Sequence, residues 1–228
     1  MVIAGLQKTT LLDYPGKVAC TVFLSGCNFC CPFCQNWEII TDKGEDISKE
    51  YLMNFLKKRK GVLDGVCVTG GEPLVNADIV DFIKEIKDIG YSVKLDTNGS
   101  YPDKLISLAD KKLIDTVAMD VKNCPSRYAA TAGCPVDMDK IRASVEYLLS
   151  DNIDYELRTT VVDELHDGKG MLELAEWIKG AKRYFLQNFK DSEAVRFGNL
   201  SPCSDEKLRS FTDVMRPLVP SVKIRGEN

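Results

Sequence analysis

The sequence predicts an α/β fold, an incomplete (β/α)6 barrel with a curled parallel sheet, formed by a single domain over residues 1–228. Short apolar runs alternate along the chain with stretches whose apolar residues recur at helical spacing. Such alternation is typical of parallel strands joined by right-handed crossovers. Six strand–helix units fit the 228 residues, which favours one curled sheet over two small domains.

The predicted strands are short apolar segments that end at polar or glycine-containing stretches. In chain order they are Val18–Ser25, Asp64–Thr69, Tyr91–Leu95, Thr116–Val121, Tyr155–Val162 and Arg183–Asn188.

The predicted helices carry apolar residues at i, i+3, i+4 and i+7, as Ile79, Phe82, Ile83 and Ile86 illustrate. Gly90 is expected to end that helix, and Ser204 to cap the last one. In chain order the helices are Ser48–Lys60, Asn76–Ile89, Pro102–Asp110, Asp139–Leu149, a segment around Met171–Ile178, and Ser204–Met215.

Composition excludes several function classes. The net charge is −4, and no Lys/Arg-rich block interleaves with aromatic residues, so we expect no nucleic-acid partner. No apolar run approaches the roughly 20 residues that cross a bilayer, and the first 20 residues do not resemble a signal peptide. We therefore expect a cytoplasmic protein without a membrane partner.

Cysteines are unusually frequent, and five of the nine lie within residues 20–34. Disulfides are rare in a reducing compartment, so this clustering indicates a metal site. Cys27, Cys31 and Cys34 form a C-x3-C-x2-C pattern whose thiolates can hold three irons of a cubane cluster, leaving the fourth iron open to a chelating ligand. The alternative is structural zinc held by two C-x2-C pairs, although here the two pairs follow each other with no residue between them. Cys30 is not expected to bind the cluster.

Four polar or glycine-rich segments follow predicted strands, at residues 26–36, 69–73, 96–99 and 120–122. Ligands of α/β sheets bind at the carboxyl ends of the strands. These four segments therefore predict one shared site.

The C-x3-C-x-Phe-C segment, followed by Thr-Gly-Gly-Glu-Pro at residues 69–73, resembles the radical S-adenosylmethionine superfamily. The resemblance implies that Cys27, Cys31 and Cys34 hold one [4Fe–4S] cluster. It also implies that Gly70, Gly71 and Glu72 bind the amino group of S-adenosylmethionine. Glycines allow close backbone approach, and carbonyls with a carboxylate can accept from an ammonium group.

Asp-Thr-Asn-Gly at residues 96–99 and Met-Asp-Val-Lys at residues 119–122 resemble motifs of glycyl-radical-enzyme activating enzymes. In those relatives, the equivalents of Asp96, Thr97 and Asp120 lie near the S-adenosylmethionine carboxylate and can surround a monovalent cation. An aspartate beside a carboxylate is unfavourable, so we expect a cation or Lys122 to offset it. Asn98 belongs to the same implied binding set, and a simple Asx turn over 96–99 is the alternative.

Arg158 lies inside an apolar strand, where an unpaired charge is costly. The resemblance implies that it faces the substrate carboxylate, and the alternative is an ion pair on an edge strand. The implied catalytic residues are thus Asp96, Asp120, Lys122 and Arg158.

Residues 5–17, 23–29 and 184–189 resemble the longer form of anaerobic ribonucleoside-triphosphate reductase activating proteins. The chain departs from that group at Cys30, Gln35 and Lys190, where arginine, histidine and proline are frequent. The resemblance implies a glycyl-radical enzyme as partner, most strongly anaerobic ribonucleotide reductase, and a flavodoxin or ferredoxin-type electron donor.

Two alternatives differ in function. One is a radical enzyme for a small molecule, similar to 7-carboxy-7-deazaguanine synthase; the other is a non-catalytic zinc or redox module. The sequence assigns no role to His166, Cys124, Cys134 and Cys203, and it does not identify the residues that bind adenine.

Overall fold

A computed structural model, which describes residues 1–41, 47–193, 195 and 198–226, confirms an α/β fold with a mostly parallel sheet that is not closed into a barrel. The chain divides into two compact units. The first comprises Met1–Asn28, Asn36–Thr97 and Asp103–Val117, and the second Phe29–Gln35, Asn98–Pro102 and Ala118–Asn228. The single domain over 1–228 stays a prediction.

The first unit contains strands in the order β1-β2-β3-β4, with β1 antiparallel to β2 and the others parallel. Its strands are β1 Ile3–Thr10, β2 Ala19–Leu24, β3 Gly65–Gly70 and β4 Ser92–Thr97. Its helices are α1 Trp37–Thr41, α2 Lys49–Lys58, α3 Ile79–Ile89 and most of α4 Pro102–Asp110, with a 3-10 turn at Pro73–Val75. Strand β5, Thr116–Asp120, crosses the boundary between the units.

The second unit contains the parallel strands β6-β7-β8 and the end of β5. The strands are β6 Asp154–Val161, β7 Tyr184–Asn188 and β8 Val222–Ile224. The helices are α5 Tyr128–Ala132, α6 Met138–Leu149, α7 Gly168–Trp177 and α8 Asp205–Met215, and a 3-10 turn spans Pro125–Arg127.

The two faces of the sheet in the first unit differ in chemistry. On the helix-packed face, α3 buries its predicted apolar residues and packs on β4. On the other face, strand register aligns Thr21 with Cys67 and Cys67 with Lys94, and each of the three is at most 1% exposed. A buried polar row therefore crosses β2, β3 and β4.

The six predicted strand–helix units are present from β2 to α8, and Gly90 and Ser204 cap their helices as the sequence indicates. Ser48, predicted as the first residue of α2, is its N-cap. The prediction of six strands was incomplete, because among the described residues β1 and β8 bring the strands of the sheet to eight. β1 has two register irregularities, which interrupt the alternation of buried and exposed side chains expected of a strand. β8 is only three residues long, too short to give a clear pattern. Within the described ranges, no helix is long and apolar enough to cross a bilayer.

Candidate active site

The cysteine loop begins directly after β2. Cys31 is buried, whereas Cys27 and Cys34 are half-buried. The Cys34 amide donates to the Cys31 carbonyl at 3.1 Å, so these two ligand candidates share one tight turn. Phe33, between them in this turn, is 5% exposed, as expected for a residue that shields a cluster from water.

The Cys31 thiol is perturbed by its surroundings. Burial raises its pKa to about 11, and the neighbouring Lys122 ammonium opposes that rise. A thiol must lose its proton to bind iron, and a nearby cation favours the thiolate. Lys122 therefore makes the Cys31 site more suitable for a metal ligand.

Aromatic packing in the second unit supports this loop. The ring of Phe29 contacts Tyr128 edge-on at 6.4 Å between centroids, and Tyr128 contacts Trp177 of α7 at 6.1 Å. The Cys30 amide donates to the Ala132 carbonyl at 2.9 Å, while the Cys30 residue itself is exposed. These contacts orient the loop through residues that lie between the ligand candidates.

The Gly-Gly loop after β3 contacts the start of the cysteine loop in the first unit. The Gly71 amide donates to the Leu24 carbonyl and the Glu72 amide to the Gly26 carbonyl, both at 2.9 Å. A Cβ on Gly71 would overlap the Gly26 carbonyl oxygen and lie 3.2 Å from the Cys27 Cβ. The approach of a ligand was expected to require a glycine at this position, whereas the structure shows a close approach of protein backbone.

Gly70 has a φ of +124°, and a Cβ there would overlap the backbone of Leu24. Its carbonyl accepts from the Asn36 side chain at 2.9 Å. Asn36, two residues after Cys34, is a contact of this loop that sequence reasoning missed.

Glu72 is fully buried, and its carboxylate connects the ends of two strands. Its Oε1 accepts from the Leu74 amide at 3.0 Å and from the Thr97 hydroxyl at 2.8 Å. The structure thus brings together two residues that were predicted for the same binding site, Glu72 after β3 and Thr97 at the end of β4.

Asp96 forms a buried cluster with Lys94 and Cys67. The Lys94 ammonium makes an ion pair with Oδ1 of Asp96, and the Cys67 thiol lies 3.6 Å from the same oxygen. The sequence predicted that a cation or Lys122 would offset an aspartate in this set. Lys122 pairs with Asp120, and within the first unit Asp96 pairs with Lys94, which the sequence analysis did not name. Lys94 is two residues before Asp96, on the same face of β4.

Asn98 is buried and forms an Asx turn. Its Oδ1 accepts from the Ser100 amide at 3.0 Å and from the Ser100 hydroxyl. The carbonyl of Gly99 accepts from the Ser144 hydroxyl of α6 at 2.7 Å. The alternative of an Asx turn is therefore realised at Asn98, and this turn is anchored to α6.

Asp120, Lys122 and Arg158 form an ion-paired cluster in the second unit. Lys122 Nζ lies 3.0 Å from one Asp120 oxygen, and Arg158 Nε pairs with the other. Burial would raise the pKa of Asp120, but the two cations outweigh burial and hold that pKa well below its usual range. The carboxylate is thus ionised, and the cluster carries one net positive charge.

Arg158 does not lie on an edge strand, so that form of the alternative was wrong. Its carbonyl accepts from the Val121 amide at 2.9 Å, and its Cα is in register with Phe185 of β7. The Arg158 charge is compensated by Asp120. Asp120 lies at the carboxyl end of β5, as the sequence predicted.

His166 is a buried structural residue. The Val162 amide donates to Nδ1 at 3.1 Å, and Nε2 lies 3.1 Å from the Lys122 carbonyl, to which it donates in the neutral tautomer. Burial lowers the pKa of His166 below its ordinary value of 6.5. The imidazole therefore helps to fix the backbone of Lys122.

Among the residues that the structure describes, no three or more His, Cys, Asp or Glu side chains are arranged to hold a single metal ion. The donor set nevertheless fits a cubane cluster, because three thiols come from one loop and a glycine cradle packs against its first cysteine. Cys20 and Cys67 are fully buried in strands, as expected for core residues.

Comparison with known proteins adds a family and a fold. The model of the radical SAM superfamily matches residues 21–178. A Methanocaldococcus jannaschii protein named "Putative glycyl-radical enzyme activating enzyme" is 29% identical over 99% of this chain and 96% of its own length. A 7-carboxy-7-deazaguanine synthase of Thermoplasma acidophilum is 29% identical over 75% of this chain and 79% of its own length.

Among solved structures, a domain of pyruvate-formate lyase-activating enzyme from Bacteroides vulgatus superposes with a TM-score of 0.58 at 17% identity. The superposition covers 71% of this chain and 99% of that one. At this identity the likeness concerns the fold alone, and it agrees with the open α/β sheet described above.

Proposed function

Since this chain belongs to the radical S-adenosylmethionine superfamily, we propose that it is an activating enzyme that installs a glycyl radical on a partner enzyme. Membership makes the chain an oxidoreductase-type enzyme with two cofactors, a [4Fe–4S] cluster and S-adenosylmethionine. One observation carries the proposal: the Methanocaldococcus protein matches nearly the whole of both chains. The proposed partner is anaerobic ribonucleoside-triphosphate reductase, in the cytoplasm, with a flavodoxin or ferredoxin-type donor.

In the proposed site, Cys27, Cys31 and Cys34 hold the cluster. When bound, the cluster supplies one electron that cleaves the S–C5′ bond of S-adenosylmethionine, giving methionine and a 5′-deoxyadenosyl radical. The net products of the proposed reaction would be methionine, 5′-deoxyadenosine and a radical on a glycine of the partner, which would have lost one hydrogen atom. The protein contributes orientation and exclusion of water.

The glycine loop and the two aspartates are proposed to bind the methionine part of S-adenosylmethionine. Carbonyls of Gly70 and Gly71, with the buried carboxyl oxygens of Glu72, suit an ammonium group as acceptors. Thr97 and Asn98 extend this binding set. Asp96 and Asp120 are positioned by their ion pairs.

Arg158 and Lys122 are proposed to attract the carboxylate of the ligand. Their cluster with Asp120 carries one net positive charge, so an added carboxylate neutralises it. The assignment is consistent with the position of Lys122 just after the carboxyl end of β5.

The experiment uses anaerobically reconstituted protein, S-adenosylmethionine, a reductant and anaerobic ribonucleotide reductase. We expect a glycyl-radical doublet by electron paramagnetic resonance and cleavage of the partner at that glycine in air. The Cys31→Ala variant, which should lack the cluster, is the negative control.

A second candidate function is supported by the match to 7-carboxy-7-deazaguanine synthase, although that match covers less of the chain. Catalytic consumption of a purine-like small molecule, with no radical on any glycyl-radical enzyme, would favour it. The superfamily assignment would then stand and the activating-enzyme proposal would fall.

A further inference from the structure

Lys94 is a charged residue in one of the least accessible parts of the first unit. It is 1% exposed and lies between Val93 and Leu95, both fully buried. An ammonium group in such surroundings is costly unless an opposite charge compensates it. Asp96 provides that charge through a direct ion pair.

The pair lies against β3 as well. Cys67 is the register partner of Lys94, and its thiol lies 4.0 Å from Nζ and 3.6 Å from Asp96 Oδ1. Asp96 is itself only 9% exposed, at the carboxyl end of β4. The ammonium is therefore held within the protein, beside a carboxylate that belongs to the proposed ligand site.

We propose that Lys94 takes the place of a monovalent metal cation beside Asp96, so that this chain binds S-adenosylmethionine without potassium or sodium ions. The inference rests on the assignment of Asp96 to the S-adenosylmethionine site made above, and it does not depend on the identity of the partner. A carboxylate next to an anionic ligand group must be neutralised. A lysine ammonium is a compact point charge that can fill this role as a small cation would.

The second implied cation ligand leads to the same conclusion. Asp120 already pairs with Lys122 and Arg158 in its own unit. Each aspartate that the family resemblance assigns to a metal cation is thus paired with a cation of the protein.

The first test measures S-adenosylmethionine affinity of the wild-type holoenzyme by anaerobic calorimetry. Potassium and sodium chloride are replaced by choline chloride at constant ionic strength, so that only the identity of the cation changes. We expect an unchanged dissociation constant. A dissociation constant that rises about tenfold or more in choline, the scale of one lost charge interaction, would overturn the proposal.

The second test uses Lys94→Met, which removes the ammonium and keeps much of the side-chain volume. We expect affinity in choline to fall about tenfold or more and to recover in potassium, because an external ion can then neutralise Asp96. Lys87→Met is the matched control, since it removes a lysine that pairs with Asp115 at 2.9 Å elsewhere in the same unit. Wild-type affinity of Lys94→Met in choline would contradict the proposal.

The Asp96→Asn variant distinguishes the assignment of Asp96 to the S-adenosylmethionine site from the proposed role of Lys94. Unchanged affinity in a folded Asp96→Asn protein would show that Asp96 is outside the ligand site, and both assignments would fail. Reduced affinity of this variant, combined with a potassium-dependent wild type, would retain Asp96 in the site and refute only the role of Lys94. Melting curves of each variant establish that it is folded.

Discussion

Replacing Gly71 by alanine should disturb the cysteine loop before it disturbs ligand binding. The new Cβ would overlap the Gly26 carbonyl oxygen, which accepts a hydrogen bond from the Glu72 amide. The Cys27 Cβ is only 3.2 Å from the same position. Relief of the overlap requires a shift of backbone at the start of the loop, because no flexible side chain is available to move.

Overpacking of this kind costs about 1–3 kcal/mol. In a chain of this size, each kcal/mol lowers the melting temperature by roughly 2–4 °C, so we expect a loss of about 2–12 °C. The assay is thermal unfolding of the cluster-free protein by circular dichroism, followed by iron and sulfide analysis after anaerobic reconstitution. Both the melting temperature and the iron content should fall.

Gly168→Ala is the matched control, because a Cβ there meets no atom within 4 Å. It should melt and load iron as the wild type does. If Gly71→Ala also melts and loads iron normally and loses only S-adenosylmethionine affinity, the packing argument is refuted. Gly71 would then be small because a ligand approaches it.

Three further variants test other parts of the site. Cys31→Ala should abolish the absorption spectrum of the cluster while Cys30→Ala preserves it; an intact spectrum in Cys31→Ala would remove Cys31 from the ligand set. Arg158→Met should lower the free energy of unfolding by about 1–3 kcal/mol and raise the pKa of Asp120, as measured by urea unfolding and carbon-13 titration; an unchanged pKa would contradict the ion pair. Burial lowers the pKa of His166, so the native state binds fewer protons than the unfolded state below about pH 6.5, and stability should fall as pH falls from that value. His166→Gln should show a weaker loss between pH 7.5 and 5.5 in the same unfolding assay, and an identical loss would show that another group titrates.

The elements that were predicted correctly are those with a strong local pattern. The range Pro102–Asp110 has the bounds that the sequence gives for α4, and α3 begins three residues later than predicted and ends before Gly90 as expected. Ser204 accepts a hydrogen bond from the Lys207 amide, as its predicted role as a cap implies. Apolar periodicity and helix capping depend on residues only a few positions apart. A single sequence is therefore enough to predict where such helices begin and end.

The ion pair of Lys94 with Asp96 was not predicted, although the sequence contains a signal for it. A charge inside an apolar strand drew attention to Arg158, and the same argument applies to Lys94 two residues before Asp96. Unlike the Lys94–Asp96 pair, the Glu72–Thr97 hydrogen bond and the contact between Gly71 and Gly26 have no local sequence signal. They join residues 25 and 45 positions apart along the chain, and only strand register reveals them.

The outermost strands of the sheet limit how another protein can attach. β1 has two register irregularities and exposes Gln7, Lys8 and Thr9, while β8 has three residues and an exposed Lys223. Irregular, charged or very short edges are poor templates for an incoming strand. A partner chain would therefore gain little by extending this sheet through backbone hydrogen bonds. For the proposed partner, we therefore expect recognition to rely on side chains and loops, not on strand addition.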